Sequence, residues 1–179
     1  MNAADIHWDG GVGSVMIADD GTFPGNPSFP MLIYKAALDV SSYGPEGVER
    51  TFAANGWGSM WRNGVYSFHH YHSTAHEALG VYAGSARVQL GGSNGLVLEI
   101  EAGDVLVLPA GTAHKLVSSN GLALVGSYPP GPSWDLLRGE QGDRPAADRN
   151  IADVKAPAAD PVYGTEGPLT RLWGREQTT

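Results

Sequence analysis

The chain has 179 residues, 42% of them hydrophobic, which is enough for one domain with a filled core. Its formal net charge of −8 at pH 7 disfavours nucleic acids and anionic membranes as partners, and the absence of cysteine excludes a disulfide framework or a thiolate metal site. No apolar run approaches the roughly 18 residues of a membrane span, and residues 1–20 lack the basic-then-apolar pattern of a secretory signal. We therefore expect a cytoplasmic protein.

The predicted elements are mostly short strands. Glycine (25 residues) and proline (12 residues) interrupt short apolar runs, a pattern typical of an all-β barrel or sandwich. Residues 29–38 predict an early strand, and residues 45–55 predict a short helix, because Pro45 suits a first helical turn and Asn55-Gly56 suits a C-terminal cap. Further strands are predicted at residues 65–72, 77–83, 85–91, 96–101, 104–108, 114–118 and 122–128.

The sequence changes character after Tyr128. Residues 129–132 read PPGP, and the remainder is rich in proline, alanine and aspartate, with one helix predicted at residues 145–154. This C-terminal part carries more apolar side chains than a free linker would, namely Ile151, Val154, Leu169, Leu172 and Trp173. We therefore divide the chain into a β-barrel unit, residues 1–128, with N-terminal strands and the short helix, and an irregular tail, residues 129–179. We expect the tail to pack on the barrel or on a partner subunit.

Five of the six histidines lie between residues 64 and 114, beside turn glycines. His70 and His72 are two residues apart on a predicted strand, so both side chains point to the same face. Glu77 opens the next strand, which can lie antiparallel to the first and bring the carboxylate level with the two imidazoles. His114 follows a Pro-Ala-Gly turn and supplies a fourth group. Three imidazoles and one carboxylate suit Fe, Mn, Ni, Co, Cu or Zn better than Ca or Mg.

Several nearby side chains have two possible roles. His69 alternates away from the predicted site, so we expect it to pack in the core or to hydrogen-bond behind the site. His76 is expected on the opposite strand face from Glu77, and the alternatives are a polar pocket group or a metal ligand. The sequence leaves open whether His76, Tyr66, Arg87 or Gln89 line the pocket. Aromatic residues of barrels more often pack in the core, and the strand face that carries Arg87 and Gln89 more often meets solvent.

The spacing in this stretch resembles the two motifs of the cupin superfamily, G-x5-H-x-H-x(3,4)-E-x6-G and G-x5-P-x-G-x2-H-x3-N. One departure is Ser118, which stands where the motif has asparagine, a position that is not a metal ligand. Residues 69–77 and 107–115 are similar to a narrower group, the YjlB-like bacterial cupins. The chain matches the two motifs at Gly64, His70, His72, Glu77, Gly84, Gly103, Pro109, Gly111 and His114.

The resemblance implies a single-domain cupin of the all-β class, a double-stranded β-helix or jelly-roll barrel with short helices. It also implies one divalent transition metal bound by His70, His72, Glu77 and His114, and the homodimer in which such barrels commonly pair. A dication held by four protein groups keeps open positions for a small-molecule ligand. Because a fold does not fix a function, three functions stay open.

The first function is a metal-dependent enzyme of the dioxygenase type that acts on a small oxygen-rich metabolite, with the metal as Lewis acid and template. The second is a non-redox isomerase, epimerase or lyase that acts on a sugar or keto acid, in which a pocket base would move a proton. The third is a non-catalytic module that senses or stores a metal-chelating metabolite. Each predicts a small-molecule ligand.

Overall fold

The computed structural model describes residues 5–174. Within that range the chain forms eight strands and three helices. The strands are β1 (His7–Asp9), β2 (Val12–Val15), β3 (Met31–Tyr34), β4 (Gly58–Asn63), β5 (Glu77–Leu90), β6 (Leu96–Glu101), β7 (Val105–Leu108) and β8 (His114–Tyr128). The helices are α1 (Val40–Ala54), α2 (Ala146–Asp153) and α3 (Pro168–Trp173). None of these helices is both long and apolar enough to cross a membrane.

All strands pair antiparallel, in the order β1-β2-β3-β7-β5-β8-β4, with β6 added to β5. The first half of β5 pairs with β7 and its second half with β6. Gly84 lies between the two halves with a φ of 69°, and a Cβ there would meet the carbonyl oxygen of Gly121 at 2.2 Å. The strands predicted at 77–83 and 85–91 are therefore one long strand bent at a glycine. The predicted all-β class is confirmed.

Strand β3 shows how the core is built in two layers. Alternate side chains point to opposite faces, so Met31 and Ile33 enter the barrel interior while Leu32 and Tyr34 face outward. All four are fully buried, because α1 and the tail helix α3 cover the outer face. An all-apolar strand is the expected sequence for a strand with both faces buried.

The strand predicted at 65–72 is wrong. Strand β4 ends at Asn63, and among the residues that follow only His70 and Tyr71 form isolated bridges, with His114 and Leu137. β-branched and aromatic residues favour strands only where a neighbouring strand can pair with them. Here the chain runs antiparallel to residues 111–116 but bonds to them only at Tyr66, His70 and His72, which is too sparse for a continuous ladder, and Tyr66 lies exposed. The sequence also did not predict β1, β2, β4 or α3.

The helix predicted at 45–55 is longer than expected. It begins at Val40, where the Asp39 side chain accepts a hydrogen bond from the Ser42 amide at 3.3 Å, a standard N-cap. The helix is kinked at Gly44, whose φ and ψ are 54° and −150°. The structure confirms the tail helix predicted at 145–154, which is α2 (Ala146–Asp153).

The described part of the tail lies against the rest of the same chain. The indole nitrogens of Trp57 and Trp173 each donate at 2.9 Å across this boundary, to the carbonyl oxygens of Ala159 and Pro30. Asp160 is fully buried and accepts a hydrogen bond of 2.6 Å from the Tyr34 hydroxyl of β3. Residues 175–179, the end of the predicted tail, lie outside the described range.

Candidate metal centre

The loop before β5, strand β5 and strand β8 bring the four predicted metal-binding residues together. His70 and His114 form a mutual backbone bridge, with N–O distances of 3.2 and 2.9 Å, and His72 follows two residues after His70. Glu77 is the first residue of β5 and His114 the first of β8. All four side chains are buried. One ring nitrogen from each of the three histidines lies within 4.8 Å of the others, so the three could hold a metal ion together.

The Glu77 carboxylate lies against two of these imidazoles. Its Oε1 is 3.5 Å from His72 Nε2, and its Oε2 is 3.4 Å from His114 Nε2. The Tyr128 hydroxyl donates to Oε1 at 2.7 Å. Among the described residues, Oε2 has no hydrogen-bond partner although it is buried. A buried carboxylate oxygen without a donor or cation is costly, so the donor set fits a cation between Oε2 and the imidazoles.

The imidazoles are oriented by three backbone carbonyl groups. His70 Nδ1 lies 3.3 Å from the Phe68 oxygen and His114 Nδ1 lies 3.2 Å from the Thr112 oxygen, while His72 Nδ1 contacts the Asp135 oxygen. A carbonyl oxygen only accepts, so each Nδ1 carries a hydrogen, and the Nε2 atoms of neutral His70 and His114 keep their lone pairs. His72 Nε2 faces the Glu77 carboxylate and can hold a proton there. Metal-binding histidines commonly have a backbone carbonyl or carboxylate in this position.

Protonation states at the centre follow from burial and from the carboxylate. Burial lowers the pKa of His114 to about 3 and also lowers the pKa of His70. Burial alone would lower the pKa of His72 too, but its hydrogen bond to Glu77 and the Glu77 charge raise it. For Glu77, burial opposes ionisation, yet the His72 contact holds the carboxyl pKa well below its usual range. A metal binds to an ionised carboxylate and to neutral imidazoles, so it would have to displace the proton that Glu77 favours on His72.

A cavity of about 300 Å³ opens onto the four residues. Tyr66, at 49% exposure, lines this cavity, contrary to the expectation that it packs in the core. Trp134 from the tail also lines it and stacks on the Tyr128 ring, with centroids 4.2 Å apart and an interplanar angle of 1°. The remaining wall is largely apolar and includes Trp61, Val65, Leu79 and Leu136.

His76 points away from this cavity. Its Nδ1 accepts from the Ala110 amide at 3.0 Å, its Nε2 donates to the Lys155 carbonyl at 3.2 Å, and its ring lies against Trp173 of α3. Burial lowers the pKa of His76 to about 4. It lines a separate cavity of about 560 Å³, beside Trp57 and the tail, to which none of the four candidate ligands contributes.

The other three residues of uncertain role also lie outside the 300 Å³ cavity. Arg87 is exposed near Glu99, and Gln89 donates to the Ser93 carbonyl at 2.8 Å, as expected for a face that meets solvent. His69 packs against the Phe23 ring, with centroids 5.1 Å apart, as expected for a side chain directed away from the site.

The sequence did not predict what the tail contributes to the site. Residues 133–138, here called the strap, run beside His72 and supply Trp134 and the Asp135 carbonyl. The Asp135 carboxylate accepts from the Ser73 amide at 2.6 Å and from the Thr74 amide at 3.3 Å, which ties the strap to the chain just after His72. The one local signal of this contribution is a tryptophan, Trp134, within a polar and proline-rich stretch.

Comparison with known proteins agrees with this architecture. Residues 57–127 match the family described as Cupin. The uncharacterized protein YjlB of Bacillus subtilis (strain 168) is 36% identical over 156 residues, which are 87% of this chain and 92% of the relative.

Two solved structures are similar at a lower level. Acireductone dioxygenase from Bacillus anthracis is 16% identical with a TM-score of 0.34, over 45% of this chain and 56% of that one. Lactobacillus farciminis oxalate decarboxylase is 18% identical with a TM-score of 0.33, over 74% of this chain and 32% of that one. The chain thus spans about half and about a third of these two proteins, and likenesses this distant carry no information about its activity.

Proposed function

The chain belongs to the cupin family, and on that premise we propose that it is a metal-dependent enzyme of the dioxygenase type. It would bind one divalent transition metal (Fe, Mn, Ni, Co, Cu or Zn) through His70, His72, Glu77 and His114. Its substrate would be a small molecule that presents two neighbouring oxygen atoms to the cavity.

The observation that carries this proposal is the buried Oε2 of Glu77, which finds no hydrogen-bond donor among residues 5–174 and lies 3.4 Å from His114 Nε2. The three Nδ1 contacts to carbonyl groups support it, because in a neutral imidazole they place the hydrogen on Nδ1 and leave Nε2 to bind a metal. When bound, a transition metal supplies a Lewis acid and, if it is redox-active, a path for electrons to dioxygen. The chain itself orients the ligands and surrounds the reacting molecule with apolar walls.

The ionisable side chains around the cavity favour the dioxygenase over an isomerase or lyase, because among residues 5–174 only Tyr66 is free to act as a base. Apart from the four proposed ligands, the ionisable side chains that line it, among residues 5–174, are Arg62, Tyr66 and Tyr128. Arg62 is bound by two glutamates, and Tyr128 donates to Glu77 while burial raises its pKa. Repeated proton transfer between carbon atoms of a substrate would therefore depend on the exposed Tyr66 alone. A chelating diketone or catechol loses a proton only as it binds, and water can accept that proton.

Metal analysis and oxygen uptake test this proposal. Protein purified without added metal or a nickel column should carry about one transition-metal ion per chain. The iron-loaded protein, screened anaerobically against diketones, catechols, keto acids and sugar acids, should bind at least one class with a visible charge-transfer band. Air should then start oxygen uptake that matches ligand consumption.

Two other outcomes would replace the dioxygenase proposal with one of the other two functions. Equal turnover without oxygen, or with zinc in place of iron, would favour the isomerase or lyase. Tight ligand binding without turnover under any metal would favour a sensing or storage module.

A further inference from the structure

Three of the exposed large apolar side chains lie together at the 300 Å³ cavity. Tyr66, Trp134 and Leu136 line it and are 49%, 42% and 44% exposed. Together with Trp61, Val65 and Leu79 they form a mostly apolar wall, whose side-chain polar atoms are the Tyr66 hydroxyl and the indole nitrogens of Trp61 and Trp134. Clusters of exposed apolar side chains that surround a polar centre are typical of ligand sites, because a ligand removes them from water.

Aromatic rings lie beside the proposed metal-binding residues on more than one side. The Tyr66 ring stands edge-on to His70, with centroids 5.0 Å apart and an interplanar angle of 76°. Trp134 lies parallel to Tyr128, whose hydroxyl holds Glu77. A flat molecule bound at the metal would therefore meet rings beside both His70 and Glu77, and aromatic contacts stabilise such a pairing.

The same wall has few partners for a charged group on the ligand other than the oxygens that would bind the metal. Arg62 is the one cationic side chain of the cavity within residues 5–174. Its Nε donates to Glu49 at 2.7 Å, and its Nη2 donates to Glu49 at 2.8 Å and Glu46 at 3.0 Å. The guanidinium is thus already neutralised. The Asn63 side-chain oxygen is likewise engaged, by the Gly64 amide at 2.8 Å.

We infer that the substrate is a flat, largely apolar chelator: two neighbouring oxygens on an aromatic or aryl-substituted body, as in an aryl diketone, and not a sugar acid. This inference rests on the proposed function, since the metal would bind the oxygen pair. A polyhydroxylated chain would give up hydrogen bonds to water and find few replacements in this wall. A volume of about 300 Å³ lies at the small end of ligand cavities and suits a body of one or two rings.

Matched ligand pairs test the inference. Acetylacetone and 1-phenyl-1,3-butanedione present the same oxygen pair and differ by a methyl against a phenyl group. Phenylpyruvate and 2-ketogluconate share an α-keto acid head and differ in an aromatic against a hydroxylated body. Binding to the zinc-loaded full chain is measured by calorimetry, because zinc prevents redox turnover. We expect the phenyl diketone and phenylpyruvate to bind roughly tenfold or more tightly than their partners.

Variants locate the preference in the cavity wall. Trp134→Ala or Tyr66→Ala should reduce the ratio of phenyl to methyl diketone affinity at least ~3-fold, while Trp134→Phe should retain most of it. The ratio is the readout, because any disturbance of the zinc site weakens both ligands alike. Trp8→Ala is the matched control, since Trp8 is 45% exposed but does not line this cavity.

The outcomes separate the two proposals. If the wild-type chain binds zinc no better than His72→Ala, the proposed function fails before any ligand is added. If zinc binds but the two diketones bind equally, or 2-ketogluconate binds more tightly than phenylpyruvate, the substrate inference is overturned and the metal proposal stands. A ratio unchanged in both Trp134→Ala and Tyr66→Ala also overturns it.

Discussion

The Glu77 carboxylate divides its two oxygens between a tyrosine and the proposed metal. Tyr128 donates to Oε1 at 2.7 Å, so the carboxylate cannot rotate freely and Oε2 stays directed at the imidazoles. A hydrogen bond to a charged group contributes about 1.5–3 kcal/mol. Tyr128 is thus a positioning residue for Glu77.

Tyr128→Phe should therefore weaken metal affinity roughly tenfold or more, because Glu77 Oε1 would lose its donor. The Mn²⁺-loaded variant should also show an altered electron paramagnetic resonance spectrum. Tyr43→Phe is the control, since Tyr43 is exposed on α1. Unchanged affinity together with an unchanged spectrum would show that Tyr128 does not position the carboxylate.

The ligands themselves can be tested against a neighbouring histidine. His72→Ala and His114→Ala should each lower zinc affinity by orders of magnitude, because both remove a proposed ligand. His69→Ala should change it little, since His69 packs against Phe23. Competition with a fluorescent chelator measures the three affinities. Equal losses in all three variants would contradict the assignment.

His76 should make stability depend on pH. Its folded-state pKa is about 4, below an unfolded value of about 6.5, so the unfolded chain takes up the proton first as pH falls. Stability is then fully present above about pH 6.5 and is lost as pH falls toward about 4. Protonation of His76 would also place a hydrogen on its Nδ1, to which the Ala110 amide already donates.

Denaturant unfolding of metal-free protein between pH 7 and 4 measures this effect. His76→Gln should flatten the decline by up to ~1.4 kcal/mol per pH unit, the contribution of one proton. His7→Gln is the control, since His7 is exposed on β1. An identical slope in wild type and His76→Gln would refute the prediction.

At the scale of elements, the strap connects the tail to the candidate metal centre. The Asp135 carbonyl contacts His72 Nδ1, and the Leu137 amide and carbonyl each pair with Tyr71 at 2.9 Å. The Asp135 carboxylate anchors this segment through Ser73 and Thr74. The orientation of His72 therefore depends on a segment 63 residues later in the chain.

Asp135→Ala should loosen the strap and weaken zinc binding by ~10- to 100-fold, the usual range for residues behind a metal ligand. Hydrogen exchange of the Leu137 amide should accelerate at the same time. Asp153→Ala is the control, since Asp153 is an exposed carboxylate of α2. Wild-type zinc affinity with accelerated exchange would show that the strap does not support the metal centre.

At the scale of the whole molecule, the tail covers an apolar face of the sheet. Leu169 and Trp173 of α3 are buried in the cluster that also contains Leu32, Tyr34 and Phe52. The fully buried Asp160 fastens this part through Tyr34 and through the Leu169 amide at 2.9 Å. Removing the tail would expose the outer face of β3.

A chain that ends after Tyr128 should lose several kcal/mol of unfolding free energy, at about 25 cal/mol for each Å² of apolar surface exposed. It should also bind zinc more weakly, because the strap is removed. Asp160→Ala should cause a smaller loss of stability while the strap remains. An undiminished melting temperature and unchanged hydrogen exchange in β3 would show that the tail is dispensable.

Much of the candidate centre was readable from the sequence. The spacing of His70, His72, Glu77 and His114 identified four side chains that the fold brings together, and strand alternation predicted that Glu77 and His76 face opposite ways. The predictions of β6, β7 and α2 also succeeded. In each case the signal is local: residue types and periodicity within a few positions decide which face a side chain occupies.

The tertiary structure alone decided the rest. No local pattern connects Asp135 to His72 or Trp134 to Tyr128, since these contacts join residues brought together by packing. Residues 65–72 have strand-forming side chains but bond to residues 111–116 at isolated positions only. Pairing partners decide whether such a run becomes a strand, and they come from distant parts of the chain. The sequence by itself thus determined which groups could bind a metal, and the fold decided which other residues orient and enclose them.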